Sequence, residues 1–259
     1  FALLIPIPVH AEQSGPIQVP GGEYHAVTPP NWNRTSPLPV VIFFHGYGQT
    51  GEVVATNERL TRPFGANGVL LIAPTGLNKS WGHVGSPRRM RDENAFIDAV
   101  LADVTAHFPI DETRIWASGF SQGGSMAWDA ACYRGDRFDA IFPVAGAFWR
   151  PHPSTCTSGP VNLFHTHGTG DTVVPMTGRP IREVFHQGDV QKGMALWREM
   201  DGCKDQPDRV ETIDDLRCET WNTCSSGKEL KLCLHPGGHM IPDGLIDMAV
   251  TWANELRRP

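Results

Sequence analysis

No feature of this 259-residue chain invites nucleic acid or a bilayer. Lys and Arg number 22 against 28 Asp and Glu, a formal charge of −6, and no long basic run disturbs that balance. Phosphate backbones and anionic lipid surfaces are held by clustered positive charge, so neither is an expected partner. No apolar stretch is long enough to span a membrane as a helix. The six cysteines contain no paired C-x-x-C set, so a zinc site is not expected. The length suits one α/β domain with a large core and is too short for two of comparable size.

What is present centres on one stretch, Ile115-Trp116-Ala117-Ser118-Gly119-Phe120-Ser121-Gln122-Gly123-Gly124. An apolar run that can be a buried strand leads in, and Met126-Ala127-Trp128-Asp129-Ala130-Ala131, good helix formers, leads out. Between them Gly119-x-Ser121-x-Gly123 has the strand-turn-helix form of a nucleophile elbow. A serine on such a turn is backbone-strained, and side chains two residues to either side would collide with the crossing strand or helix. The turn lifts the Ser121 hydroxyl off the sheet and aims a helix N-terminus at an incoming carbonyl oxygen.

The elements around it alternate. Gly21 to Thr28, Leu38 to Phe44, Gly68 to Pro74, Asp111 to Ala117, Phe138 to Gly146 and Pro160 to His165 read as strands, several of them continuously apolar. Val53 to Leu60, Asp92 to Phe108, Asp189 to Met200 and Leu245 to Leu256 read as helices. Arg209 to Trp221 and Glu229 to Leu234 read as two more strands. The pattern predicts an α/β protein with a mainly parallel sheet covered on both faces.

A serine nucleophile needs a histidine base, and the base needs a buried acceptor. In folds with this elbow the chain order is Ser, acid, His. Asp171, on a turn after the second strand beyond the elbow, is the expected acid. His186, His235 and His239 follow it; His239, behind two glycines on the loop before the last helix, is the expected base. His45, His165 and His167 are assigned packing or supporting roles. The glycine-rich His45-Gly46-Tyr47-Gly48 loop follows a central strand, so the Tyr47 N–H is expected to form an oxyanion hole with the N–H of Gln122. Trp81, on the long loop from Thr75 to Arg91 that also carries Arg88-Arg89, is expected to line the acyl or alcohol pocket.

Residues 1–11 read as the rear of a secretory signal, an apolar run ending with Val9 and Ala11 at the −3 and −1 positions, ahead of one catalytic domain over 12–259. An even count of cysteines supports export and disulfides. The expected pairing is Cys132 with Cys156, plus two bridges among Cys203, Cys218, Cys224 and Cys233.

With these residues in place the chain resembles the secreted α/β-hydrolase esterases that include feruloyl esterases and polyhydroxybutyrate depolymerases. The resemblance runs from about Gly21 to the C-terminus. It rests on His45-Gly46 with Gln49, on Ala95-Phe96-Ile97, on Gly119-Phe120-Ser121-Gln122-Gly123-Gly124, on Val144-Ala145-Gly146, on His167-Gly168-Thr169-x-Asp171 through Val174-Pro175, and on Gly237-Gly238-His239. It implies Ser121, Asp171 and His239 as a triad, a covalent acyl-enzyme and no cofactor. Tyr47 stands where many relatives have Cys, and Met240-Ile241-Pro242 stands where relatives often have Trp-Pro. The expected function is a secreted serine esterase acting on hydroxycinnamoyl or short hydroxyalkanoate esters. An α/β-hydrolase-type serine peptidase and a non-catalytic extracellular binding protein on the same scaffold are the rival readings.

Overall fold

In strand β3 (Leu38–Phe44) all seven residues are buried. Such a run must be covered on both faces, and it is: Val40, Ile42 and Phe44 join one core while Val41 and Phe43 join another. These two apolar layers sandwich a ten-stranded sheet in a computed structural model that describes residues 14–84 and 91–256. The expected signal remnant (1–11) and Arg88-Arg89 lie outside the described residues.

The strands are β1 (Ile17–Val19), β2 (Gly22–Val27), β3, β4 (Leu70–Pro74), β5 (Ile110–Phe120), β6 (Ala140–Val144), β7 (Leu163–Gly168), β10 (Arg209–Ile213), β11 (Leu216–Trp221) and β12 (Leu230–His235), with a separate small hairpin of β8 (Pro180–Ile181) and β9 (Phe185–His186). Their spatial order is β1-β2-β4-β3-β5-β6-β7-β12-β11-β10. From β4 through β12 every neighbour is parallel; the pairs at both edges are antiparallel. This is the α/β-hydrolase arrangement, as the alternation of elements led one to expect.

One core layer is closed by α3 (Glu93–His107), α4 (Gln122–Arg134) and α5 (Val190–Asp201), through Phe96, Val100, Met126, Trp128, Met194 and Trp197. The other is closed by α1 (Gly51–Ala55), α2 (Glu58–Ala66) and α6 (Leu245–Glu255), through Val54, Phe64, Ala249 and Trp252. Burying each large side chain contributes about 1.5–3 kcal/mol. Capping sets the helix starts: Asp92 accepts the N–H groups of Asn94 and Ala95, and Asp189 accepts that of Lys192.

Three expectations need correction. The helix read over Val53 to Leu60 is two helices, because Asn57 takes an extended backbone and caps a fresh start at Glu58. Arg209 to Trp221 is a hairpin rather than one strand: Asp214 adopts φ 51°, and Ile213 pairs with Leu216 across a two-residue turn. The β7 strand starts at Leu163 and runs on to Gly168, carrying His167 inside the sheet.

Three disulfides join Cys132–Cys156, Cys203–Cys224 and Cys218–Cys233. The first is the pairing expected from the sequence. Closing loops of this length is worth roughly 3 kcal/mol each in the chain-entropy account.

Candidate active site

The elbow has the strain its sequence implied. Ser121 sits at φ 61°, ψ −122°, a conformation L side chains rarely adopt. It is tolerated because close backbone approach dictates glycine beside it. A Cβ on Gly123 would fall on the Phe44 carbonyl, and one on Gly119 would fall on the Gly123 carbonyl. Strand β5 therefore delivers Ser121 directly to the N-terminus of α4.

Asp171 follows β7 in a tight turn. Its side chain is buried, and Oδ1 accepts the N–H groups of Val173 and Val174, at 2.8 Å each. Oδ2 lies 2.6 Å from Nδ1 of His239, on the loop between β12 and α6. Because carboxylate oxygens only accept, Nδ1 carries the proton and Nε2 keeps its lone pair. The His239 ring rests 4.7 Å from the ring of Phe120, the residue before the nucleophile. The structure thus gathers the three expected residues at the carboxyl ends of β5, β7 and β12. Among the described residues no hydrogen bond joins Ser121 to His239; in unliganded sites such contacts are often long and tighten with substrate. His235, a rival for the base, is buried, and its Nδ1 is taken by the Gly237 N–H.

Asp171 is backed by a file of imidazoles. His167 Nε2 stands 2.7 Å from the Val174 carbonyl and 3.6 Å from Asp171 Oδ2, so it must carry a proton. Its Nδ1 lies 3.0 Å from His165 Nε2. His165 Nδ1 meets the Trp128 N–H at 3.3 Å and the Pro143 carbonyl at 3.0 Å. Both rings are fully buried, and burial pushes both pKa values down. These side chains tie the Asp171 turn to the core.

The loop after β3 lies against the elbow, where a Cβ on Gly46 would meet Ser121 Cβ at 3.6 Å. Tyr47 is 74% exposed, and among the described residues neither its N–H nor that of Gln122 has an acceptor. The Gln122 side chain is held by Ser80, with Nε2 to Oγ at 2.9 Å. Sequence reading missed Ser80, since a lone loop serine carries no signal.

Trp81, expected at the acyl or alcohol pocket, is packed beneath its loop. It is 3% exposed, its indole N–H donates to the His45 carbonyl at 2.8 Å, and its ring packs on Phe44 and His45. An apolar indole with one donor is more stable sealed beneath the loop, where that donor is satisfied, than facing a wet cleft. The loop is held further by a buried ion pair: Arg91 grips Glu93 through two nitrogens, at 2.6 and 3.0 Å, while Glu93 also accepts the Gly82 N–H.

A cleft of about 390 Å³ opens from Phe120 and His239, between α1–α2 and the loop after His239. Val54, Leu60, Met240 and Ile241 give it apolar walls, and the Arg59–Asp243 ion pair of 2.7 Å bridges two of its lining residues.

The family model described as phospholipase/carboxylesterase matches residues 27–194. A probable feruloyl esterase C of Aspergillus niger is 29% identical over 172 residues, covering 64% of this chain and 60% of that protein. Feruloyl esterase D of Neurospora crassa is 25% identical over 232 residues, 83% of this chain and 73% of that one. Among solved structures, an acetyl xylan esterase from Aspergillus awamori superposes with a TM-score of 0.64 at 12% identity, covering 90% of this chain and 94% of the other. The chain spans about 60% of the length of the first of these curated relatives.

Proposed function

The chain is a member of the phospholipase/carboxylesterase family of α/β-hydrolases, and from that premise we propose that it is a serine carboxylic-ester hydrolase of the feruloyl esterase type. One observation carries the reading: the 2.6 Å Asp171–His239 contact holds an imidazole with its basic Nε2 free, on the loop beside a strained Ser121.

The chemistry follows from that geometry. Ser121 Oγ attacks the ester carbonyl as His239 Nε2 takes its proton, while Asp171 Oδ2 accepts from Nδ1–H and stabilises the imidazolium. The oxyanion is held by the N–H groups of Tyr47 and Gln122, each such donor lowering the barrier by about 3 kcal/mol. Collapse of the tetrahedral adduct breaks the ester C–O bond, and the alcohol leaves with the proton from His239. Water then attacks the acyl-serine, giving its proton to His239, and the second collapse returns that proton to Ser121.

The apolar cleft beside His239 has the size of a small-molecule site, and its walls suit a planar aromatic acyl group. With curated relatives named feruloyl esterases, this favours a hydroxycinnamoyl ester over a hydroxybutyrate oligomer. Three disulfides favour an oxidising compartment, hence a secreted enzyme.

The test is initial rates on methyl hydroxycinnamates and on 3-hydroxybutyrate oligomers, with Ser121→Ala as the blank. We expect turnover of the first series to dominate and to vanish in the variant. Turnover retained by Ser121→Ala would end the assignment. Preference for the oligomers would place the chain with the hydroxyalkanoate depolymerases instead.

A further inference from the structure

The cleft of about 390 Å³ beside His239 adjoins a second groove of about 410 Å³, lined by Glu58, Arg62 and Ala66. Arg59, Pro63 and Asp247 line both hollows, so these side chains form the partition between them. Two of the three have little reach. Pro63 is a short ring within α2, and Asp247 is a short side chain in the first turn of α6. Asn67 Nδ2 ties them together, donating to Asp247 Oδ1 at 2.6 Å and to the Pro63 carbonyl at 2.9 Å. Behind them Leu60 and Phe64 of α2 share one core with Ile246 and Val250 of α6.

Arg59 is different. Its backbone is fixed, because Asn57 Oδ1 accepts its N–H at 3.1 Å, but its long side chain is 69% exposed. The guanidinium donates to Asp243 Oδ1 at 2.7 Å, and Asp243 is itself 92% exposed. Water and salt screen such a pair, so it opens easily. Asp243 shares the loop of His239, which forms the wall of the cleft opposite α2. We propose that Arg59 is a specificity-determining residue that sets the length of the acyl group. Held by Asp243 it closes the cleft; swung aside, it joins the cleft to the groove and admits acyl groups too long for the cleft alone. The inference rests on the reading of that cleft as the acyl site of a serine esterase.

The two hollows differ in chemistry, and that names the class of acyl group. Val54, Leu60 and Ile241 make the cleft apolar, whereas Glu58, Arg62 and Asp247 bring charges of both signs to the groove. A group that fills both has an apolar stem and an uncharged polar tip, such as a hydroxyl. A bare hydrocarbon tail would strip water from the groove's charges without replacing its hydrogen bonds. The same ion pair also fastens the His239 loop to α2. The two roles are separable: a loosened loop slows every ester alike, while an opened partition acts only on acyl groups that reach it.

The test compares methyl ferulate with the same ester carrying a hydroxyhexyl ether on its phenolic oxygen. Ester bond and ring are shared, so only the tail distinguishes them. The readout is the ratio of kcat/KM for the tailed ester to that for the plain one, at low and high sodium chloride. We expect Arg59→Ala to raise this ratio about tenfold or more, the scale on which a pocket wall discriminates acyl groups, chiefly through KM of the tailed ester. Asp243→Ala, which frees the guanidinium without removing it, should give a smaller rise. Arg59→Lys keeps a cation for Asp243 and should stay near the wild-type ratio. Salt should raise the ratio in wild type and leave that of Arg59→Ala where it is.

An Arg59→Ala enzyme with the wild-type ratio overturns the inference. So does a fall in kcat by the same factor on both esters, which would make the pair a tie for the His239 loop and nothing more. A ratio in Arg59→Ala that responds to salt as wild type does also overturns it. Methyl ferulate left intact by the wild-type enzyme, or cleaved equally by Ser121→Ala, removes the esterase reading beneath the inference instead.

Discussion

Asp171 faces His239 with one oxygen only: Oδ2 meets Nδ1 at 2.6 Å, while Oδ1 is committed to the N–H groups of Val173 and Val174. This division decides what an amide would do there. In Asp171→Asn the two backbone donors select the amide oxygen for the Oδ1 site, which turns the NH₂ toward His239. The imidazole must then accept at Nδ1 and carry its proton on Nε2, where it cannot take one from Ser121. We expect kcat to fall about 10⁴-fold with little change in Tm. Steady-state kinetics beside calorimetry check it.

The file of histidines behind the acid makes a second prediction. His167→Leu leaves the buried Val174 carbonyl without its donor, a cost of about 1–3 kcal/mol, and frees the turn that holds Asp171. His167→Gln can place an amide N–H near the vacated Nε2. Urea unfolding should rank wild type, Gln, Leu in falling stability, and kcat should follow the same order. Equal kcat in all three would disconnect the file from the acid.

Two buried groups should make stability depend on pH between about 4 and 7, in opposite directions. Burial lowers the pKa of His45 from 6.5 to about 4, so below pH 6.5 the unfolded chain binds a proton that the folded protein refuses. This contribution is complete above pH 6.5 and is lost as pH falls toward 4, by up to about 3 kcal/mol at ~1.4 kcal/mol per pH unit. His165, His167 and His235 shift in the same direction. Asp201 behaves oppositely. Burial raises its carboxyl from 3.8 to about 7, and its Oδ2 has no hydrogen-bond partner among the described residues. Between those values the folded protein holds a proton that the unfolded chain has released, so stability declines as pH rises through that window. Asp201→Asn should gain up to ~4 kcal/mol over wild type at pH 8 and almost nothing at pH 4. Urea midpoints across pH test both limbs.

The Arg91–Glu93 pair is buried on both sides, with exposures of 8% and 5%. Glu93→Gln strands a buried guanidinium and should cost roughly 3–5 kcal/mol. The loop bearing Ser80 and Trp81 would loosen with it, so kcat should drop as well as Tm. A thermal melt paired with kinetics measures both.

Much of this site is legible in the sequence, for local reasons. Ser121 is announced by glycines that only backbone crowding requires, and Asp171 and His239 follow from chain order and from where their loops leave the sheet. What escapes is long-range. Trp81 lies 36 residues from the His45 carbonyl it serves, and neither residue's neighbours reveal which way the indole turns. Ser80 finds Gln122, and His45 finds Gly76, only once β3, β4 and β5 lie side by side. The Arg209–Trp221 hairpin was hidden because its turn is Asp214-Asp215, without the glycine or asparagine that marks most tight turns.

The three disulfides all lie at or beyond Cys132, on the side of the fold that bears Asp171 and His239. The strands β1 to β4 and the loop after β3 have no covalent tie among the described residues. The two halves of the candidate site therefore differ in how they come apart. Heat or a protease should open the oxyanion side first, while Asp171 and His239 stay assembled on a stapled frame; adding a reductant should erase that order of events.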